Sequence, residues 1–194
     1  MQTMIIGSSH ISRLNKFMES DFDLNLQHHT IKIKSYSGGK VNTLYRSLVE
    51  IHEFNPDTII LQIGSNDIGD IHTSVENVVL SIECLYDVLM SINVKLVVVG
   101  LLFDRSQVMM RRGLSVNEYN ARVDSLSLLL YDMSLRLHHM SFWIHRGLQY
   151  QNVRILDKDG VHLNREGNHR LATSIRGIVL YTERIIWVNY LCTN

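Results

Sequence analysis

Proline is nearly absent: Pro56 is the only one in 194 residues. No tract rich in Gly, Ser or Pro and no internal repeat is present, which excludes a flexible multidomain linker and a solenoid. Cysteine is scarce as well, with only Cys84 and Cys192, far apart, so a disulfide-stapled scaffold is excluded. Net charge is missing, since Lys plus Arg and Asp plus Glu each total 19. Nothing global therefore draws the chain to nucleic acid or an anionic membrane, and such a partner would need a local patch. The longest apolar stretches, Val94 to Phe103 and Ile185 to Cys192, are too short or too interrupted to span a bilayer. A strand-like run stands at the start in place of a basic, apolar leader, and the expectation is a soluble protein of the reducing cytoplasm. The length suits one domain over residues 1–194, with a core that needs no metal or disulfide.

What is present is an alternation of two periodicities. Thr3 to Ile6, Ile31 to Ser35, Asp57 to Ile63, Val94 to Leu101 and Ser141 to His145 are short aliphatic or β-branched runs that read as strands. Between them, Val41 to Phe54, Val75 to Ile92, Val116 to Leu137 and Arg165 to Ile185 carry apolar residues at helical spacing. Parallel neighbours need a crossover, so this order predicts an α/β fold: a flavodoxin-like, three-layer αβα sandwich around a five-stranded parallel sheet. Ligands of such sheets bind outside the carboxyl ends of the strands. The polar residues that follow each strand therefore carry the functional information. The loop from Phe103 to Ser115, with Arg105, Met109, Met110, Arg111 and Arg112, and the one after His145 are long enough to wall a pocket.

Gly7-Ser8-Ser9-His10 follows the first strand and precedes a helical run. Ser9 is thus placed at a helix N-terminus, where the dipole favours an alkoxide-like nucleophile and the Ser9 N–H can face a developing oxyanion. Alone, the same serine reads first as an ordinary N-cap. Asp159-Gly160-Val161-His162 precedes the last helix, for which Asn164 is a cap candidate. In a turn, the three-residue spacing sets the carboxylate against one imidazole nitrogen and leaves the other free to take a serine proton. Asp157 lacks that spacing and ranks second. Ser37-Gly38-Gly39 and Gly64-Ser65-Asn66-Asp67 follow the second and third strands. Gly38 can present an unhindered N–H and Asn66 an amide donor, although singly both are common turn sequences.

Together the four blocks resemble the SGNH hydrolase superfamily of GDSL-like lipases and acylhydrolases, and the likeness runs from Met4 to Arg176. It implies Ser9 as nucleophile, an oxyanion hole of Ser9, Gly38 and Asn66, and a triad completed by Asp159 and His162. It implies cleavage of a small carboxylic ester such as a lipid, an acetylated sugar or a short acyl ester. Ser8 departs from the family, which has Asp before the serine. Gly39 leaves the oxyanion glycine open, and Gly38 is favoured because it directly follows Ser37. Tyr119 to Val123, His145 to Gly147 and Asp159 to Asn164 look like an animal or mobile-element-associated subgroup related to OSK-type domains. That relation supplies the alternative, a binding module for RNA or another ligand, but the complete residue set favours catalysis and basic residues such as Arg13, Lys16, Arg165, Arg170 and Arg176 read as scattered surface charge.

No cofactor is expected, because no Gly-x-Gly-x-x-Gly or phosphate-loop lysine follows the first strand. No metal is expected either, since the pairs His28-His29 and His138-His139 lack further ligands. His10 is expected to line the pocket. The apolar tail from Ile185 to Cys192, with Trp187 and Tyr190, is expected to pack on its own domain. No oligomeric state follows from these patterns.

Overall fold

The computed structural model describes residues 1–106, 113–148 and 153–193. Five parallel strands make one sheet: β1 Gln2–Gly7, β2 Thr30–Ser35, β3 Thr58–Gln62, β4 Leu96–Gly100 and β5 Met140–Trp143. Their order is β2-β1-β3-β4-β5, the doubly wound order of the flavodoxin-like sandwich. Each run expected to be a strand is one, with ends moved by one to a few residues. At β4 the cause is plain, because the Val94 N–H is used on the Leu89 carbonyl to close the preceding helix.

Successive side chains of a strand face opposite ways, and the strands use both faces. Met4, Ile6, Ile59, Leu61, Val97 and Val99 are buried against α2 (Leu48–Phe54), α3 (Val75–Ser91) and α4 (Val116–Arg136). Ile5, Ile60 and Val98 are buried against α1 (Ser9–Asp21) and α5 (Arg165–Thr193). These are the three layers expected, and each such aliphatic contributes about 1.5–3 kcal/mol by leaving water. Side-chain caps start α3 and α4. The Ser74 hydroxyl accepts the Asn77 N–H, and Ser115 and Glu118 form a reciprocal box. Asn55, at φ 48°, ends α2 one residue before Pro56.

Two expectations are corrected. Val41 to Phe54 is not one α-helix, because Val41–Ser47 is wound as a 3-10 helix and only Leu48–Phe54 is α-helical. Val41, Leu44 and Ser47 are all buried, a spacing of three that a 3-10 winding keeps in line, whereas an α-helix drifts by about 60° at each step. Ser47 also shares a 2.8 Å hydrogen bond with the Tyr36 hydroxyl, which anchors that face to the end of β2. The last helix, expected to end at Ile185, runs on to Thr193. Its continuation does not lie flat on the sheet: Trp187 is 59% exposed and Val188 58%, and the Tyr190 side chain lies outside those described. Among the described residues no helix is long and apolar enough to cross a membrane.

Candidate active site

The order β2-β1-β3 puts the connections after β1 and β3 on opposite sides of a shared crevice, where the sheet's winding reverses. Gly7, the last residue of β1, makes the turn into α1. A Cβ there would lie 2.5 Å from the Gln62 carbonyl oxygen of β3 and from Ile11 Cγ1, so only glycine lets β1 and α1 approach this closely. Ser8 is the N-cap residue and Ser9 the first of the helix, at the end where the N–H groups lack intrahelical partners.

Ser9, His162 and Asp159 are brought together. Ser9 Oγ lies 2.9 Å from His162 Nε2, and His162 Nδ1 lies 2.7 Å from Asp159 Oδ2. With the Nδ1 proton donated to the carboxylate, Nε2 accepts from the Ser9 hydroxyl. The turn that makes this possible is local. Asp159 Oδ1 accepts the N–H groups of both Val161 and His162 at 2.9 Å, with Gly160 at φ 63° between them. Burial alone would raise the Asp159 pKa. Those two N–H groups and the imidazole outweigh it and hold the carboxyl at about 2, so it is ionised at physiological pH. Asn164 caps α5 through the Gly167 N–H and also donates to the Arg154 and Leu156 carbonyls, tying the loop to the helix.

Arg13 was read as surface charge, and the structure gives it a different place. Its guanidinium forks across the loop, Nη1 to Asp157 Oδ2 at 2.9 Å and Nη2 to Asp159 Oδ2 at 3.2 Å. It stands one turn after Ser9 on the same face of α1, so one helix carries Ser9 and grips the carboxylate that pairs with His162. Asp157, the second-ranked carboxylate, meets Arg13 through its side chain and His162 only through its backbone N–H.

The other blocks line the same cavity of about 420 Å³, which is walled by Ser9, His10, Gly38, Asn66, Arg105 and His162 among others. The Gly39 N–H is committed to the Tyr36 carbonyl at 2.8 Å, whereas Gly38, at φ 72°, sits on the cavity wall. The Asn66 amide donates to the Gly39 carbonyl at 3.0 Å, which braces the loop after β3 against the one after β2. Asp67 strengthens the brace by accepting the Val41 N–H. His10 lines the cavity as expected. Its ring meets Phe103 edge-on, with centroids 5.0 Å apart, and burial first, then His162, Arg105 and Arg13, push its pKa down to about 3. It is neutral at physiological pH.

Arg105, named from the sequence in the expected pocket wall, lines the cavity, and one further group escaped the sequence. Arg105 is 8% exposed, with its guanidinium 4.0 Å from the Tyr119 ring centroid and Nη2 donating to the Ser65 carbonyl. Met109, Met110, Arg111 and Arg112, its neighbours in the expected pocket wall, lie outside the described residues. Beneath the site, a polar chain joins β3, β5 and α5. Trp143 Nε1 donates to Ser174 Oγ, the Ser174 hydroxyl meets His145 Nδ1 at 2.9 Å, and His145 Nε2 meets Gln62 Oε1 at 3.0 Å. Gln62 Nε2 in turn donates to the Leu101 carbonyl, which assigns the Nε2 proton to His145. Burial holds His145 neutral, with its pKa at about 3. The Gly100 hydrogen leaves room for this chain, since a Cβ would collide with Gln62 and His145. Among the described residues no group of three His, Cys, Asp or Glu is arranged to hold a metal ion.

No protein-family model matches the chain and no curated protein matches it in sequence. Solved structures do. A GDSL-like lipase from Bacteroides thetaiotaomicron superposes with TM-score 0.71 at 14% identity over 93% of this chain and 88% of its own. An acetyl esterase crystallised with acetate gives 0.69 at 13% identity, over 95% and 99%. A family 3 carbohydrate esterase from Talaromyces cellulolyticus gives 0.68 at 14%, over 94% and 98%. The chain has the fold of these GDSL-like lipases and esterases.

Proposed function

We propose that the protein is a serine ester hydrolase that works through an acyl-enzyme on Ser9. The observation that carries this reading is the unbroken chain of short hydrogen bonds from Ser9 Oγ through His162 to the ionised Asp159, set at the strand ends. The shared fold with esterases and lipases supports it. In the mechanism, Ser9 Oγ attacks the ester carbonyl as His162 Nε2 takes its proton, and Asp159 stabilises the imidazolium. The oxyanion accepts hydrogen bonds from the Ser9 and Gly38 N–H groups and the Asn66 amide, all three on the cavity wall. His162 returns the proton to the departing alcohol, then deprotonates the water that cleaves the acyl-enzyme.

The substrate class is a small carboxylic ester, and the test is turnover of a panel running from short to long acyl esters, acetylated sugars included. Ser9-dependent hydrolysis of at least one member, abolished in Ser9→Ala, is expected. A panel left intact by the unmutated protein, or hydrolysed equally by Ser9→Ala, would contradict the reading. Strong RNA binding without any turnover would favour the binding module instead.

A further inference from the structure

His10 and His145 are both buried and held neutral, yet only one of them is satisfied. His145 bonds through both ring nitrogens, to Ser174 Oγ and Gln62 Oε1. His10 is 5% exposed, lines the cavity in front of Ser9 and makes no hydrogen bond among the described residues, with its Nδ1 sealed from solvent. The ring does not compete for the nucleophile. Ser9 Oγ is held by His162, 2.9 Å away, and consecutive side chains of a helix diverge by about 100°. His10 is instead fixed edge-on to Phe103, with centroids 5.0 Å apart, and beside the His162 ring at 5.4 Å. A buried polar group without a partner is costly, and a neutral imidazole has one donor and one acceptor to place. Protein interiors tolerate an unpaired acceptor better than an unpaired N–H. The sealed Nδ1 is therefore the acceptor, and the proton belongs on Nε2, the nitrogen left to face the cavity.

That donor stands next to the imidazole which, in the proposed mechanism, hands its proton to the departing alcohol, whose oxygen must come within roughly 3 Å of His162 Nε2. A donor beside that point faces the alcohol half of the ester. Being uncharged, it does not oppose the positive charge that His162 acquires. Resting on the hydrolase reading, we propose that His10 determines alcohol specificity: its Nε2–H donates a hydrogen bond to an oxygen on the carbon next to the one that bears the ester, so the site prefers esters of vicinal diols and their ethers to esters of plain alkyl alcohols. A plain alkyl alcohol leaves the donor desolvated and unpaired, which is how a site built for a hydrogen bond rejects the analogue that lacks it.

The test is kcat/KM on two size-matched pairs of esters, 2-hydroxyethyl against propyl and 2-methoxyethyl against butyl. Each carries the acyl group that the protein turns over best, and each rate is corrected for the ester's own reactivity with hydroxide. The methoxy oxygen can only accept, so a preference for it identifies a donor on the protein. Ratios of about tenfold are expected in both pairs. They should fall to near one in His10→Phe, which keeps a ring against Phe103, and be largely kept in His10→Gln, which offers an N–H at similar reach. Nitrogen-15 shifts of His10 at neutral pH should place the proton on Nε2, a readout that needs no variant. Ratios near one in the unmutated protein, a preference that His10→Phe leaves in place, or a proton on Nδ1 would each overturn the proposal. Should His10→Phe fail to fold, the ratios and the shifts of the unmutated protein still decide. A protein that turns over no ester at all sinks the hydrolase reading and this proposal with it, whereas turnover without the preference sinks this proposal alone.

Discussion

Ser9 has a hydroxyl proton to lose and one base positioned to take it, at 2.9 Å. Removing that hydroxyl in Ser9→Ala should lower kcat by about 10⁴-fold or more, a drop to be read in steady-state assays on any ester the protein cleaves. In the proposed mechanism Asn66 is one oxyanion donor, so Asn66→Ala should cost about 3 kcal/mol in transition-state binding, or roughly a hundredfold in kcat with KM little changed. Arg13→Ala tests a positioning role. Its ion pairs are about 40% exposed, so chemical denaturation should show a loss within about 1 kcal/mol, while kcat falls roughly tenfold because Asp159 loses its clamp. Lysine should restore little, since one ammonium cannot fork across two carboxylates. The grouping of Ser9, Asp159 and His162 was legible in the sequence through the resemblance of the four blocks taken together, since the helix start and the turn each read singly as ordinary capping and turn sequence. Arg13 was not, because its carboxylates lie 144 and 146 residues away and no local pattern marks it. Arg105 was named as part of a pocket wall, but its contact with the Ser65 carbonyl, 40 residues distant, was not visible for the same reason.

At the scale of elements, the site depends on how closely β1, α1 and β3 meet. Gly7→Ala pushes a methyl into the Gln62 carbonyl and Ile11, both 2.5 Å from the added carbon, and backbone cannot yield as a side-chain tip does. A loss of about 3 kcal/mol in urea denaturation is expected, with activity lost in the protein that still folds, because the same turn aims Ser9. A change under about 0.5 kcal/mol would show that the turn can relax. The strands were visible as short continuous apolar runs and most helices as a period of 3.6, since burial on both faces of a sheet or one face of a helix writes itself directly into the residue pattern. The segment from Val41 to Ser47 misled because Val41, Leu44 and Leu48 also fit α-helical spacing. The deciding contact was the polar one from Ser47 to Tyr36, which hydrophobic periodicity does not record. The far end of α5 misled similarly, as an apolar run whose Trp187 and Val188 side chains stay exposed.

Across the whole molecule, His10 and His145 tie stability to pH. Both are held neutral by burial with pKa values at about 3, against 6.5 for an unhindered imidazole. Above pH 6.5 neither is charged in the folded or the unfolded chain, and their stability is fully present. Below it the unfolded chain takes up protons that the folded one refuses, so stability falls until the pH reaches about 3. The slope is about 1.4 kcal/mol per pH unit for each histidine, or nearly 3 for both. Urea midpoints followed downward from neutral pH should drop steeply in this window; a slope of half that size would mean that one ring reaches solvent, and a flat profile that both do. All of this supports a single arrangement at the strand ends, and its chemical consequence can be read in one step. Treatment with a fluorophosphonate, followed by peptide mass spectrometry, should place a single covalent phosphonyl group on Ser9, with labelling lost in His162→Ala. Label on another residue, or on Ser9 at the same rate without His162, would contradict the account.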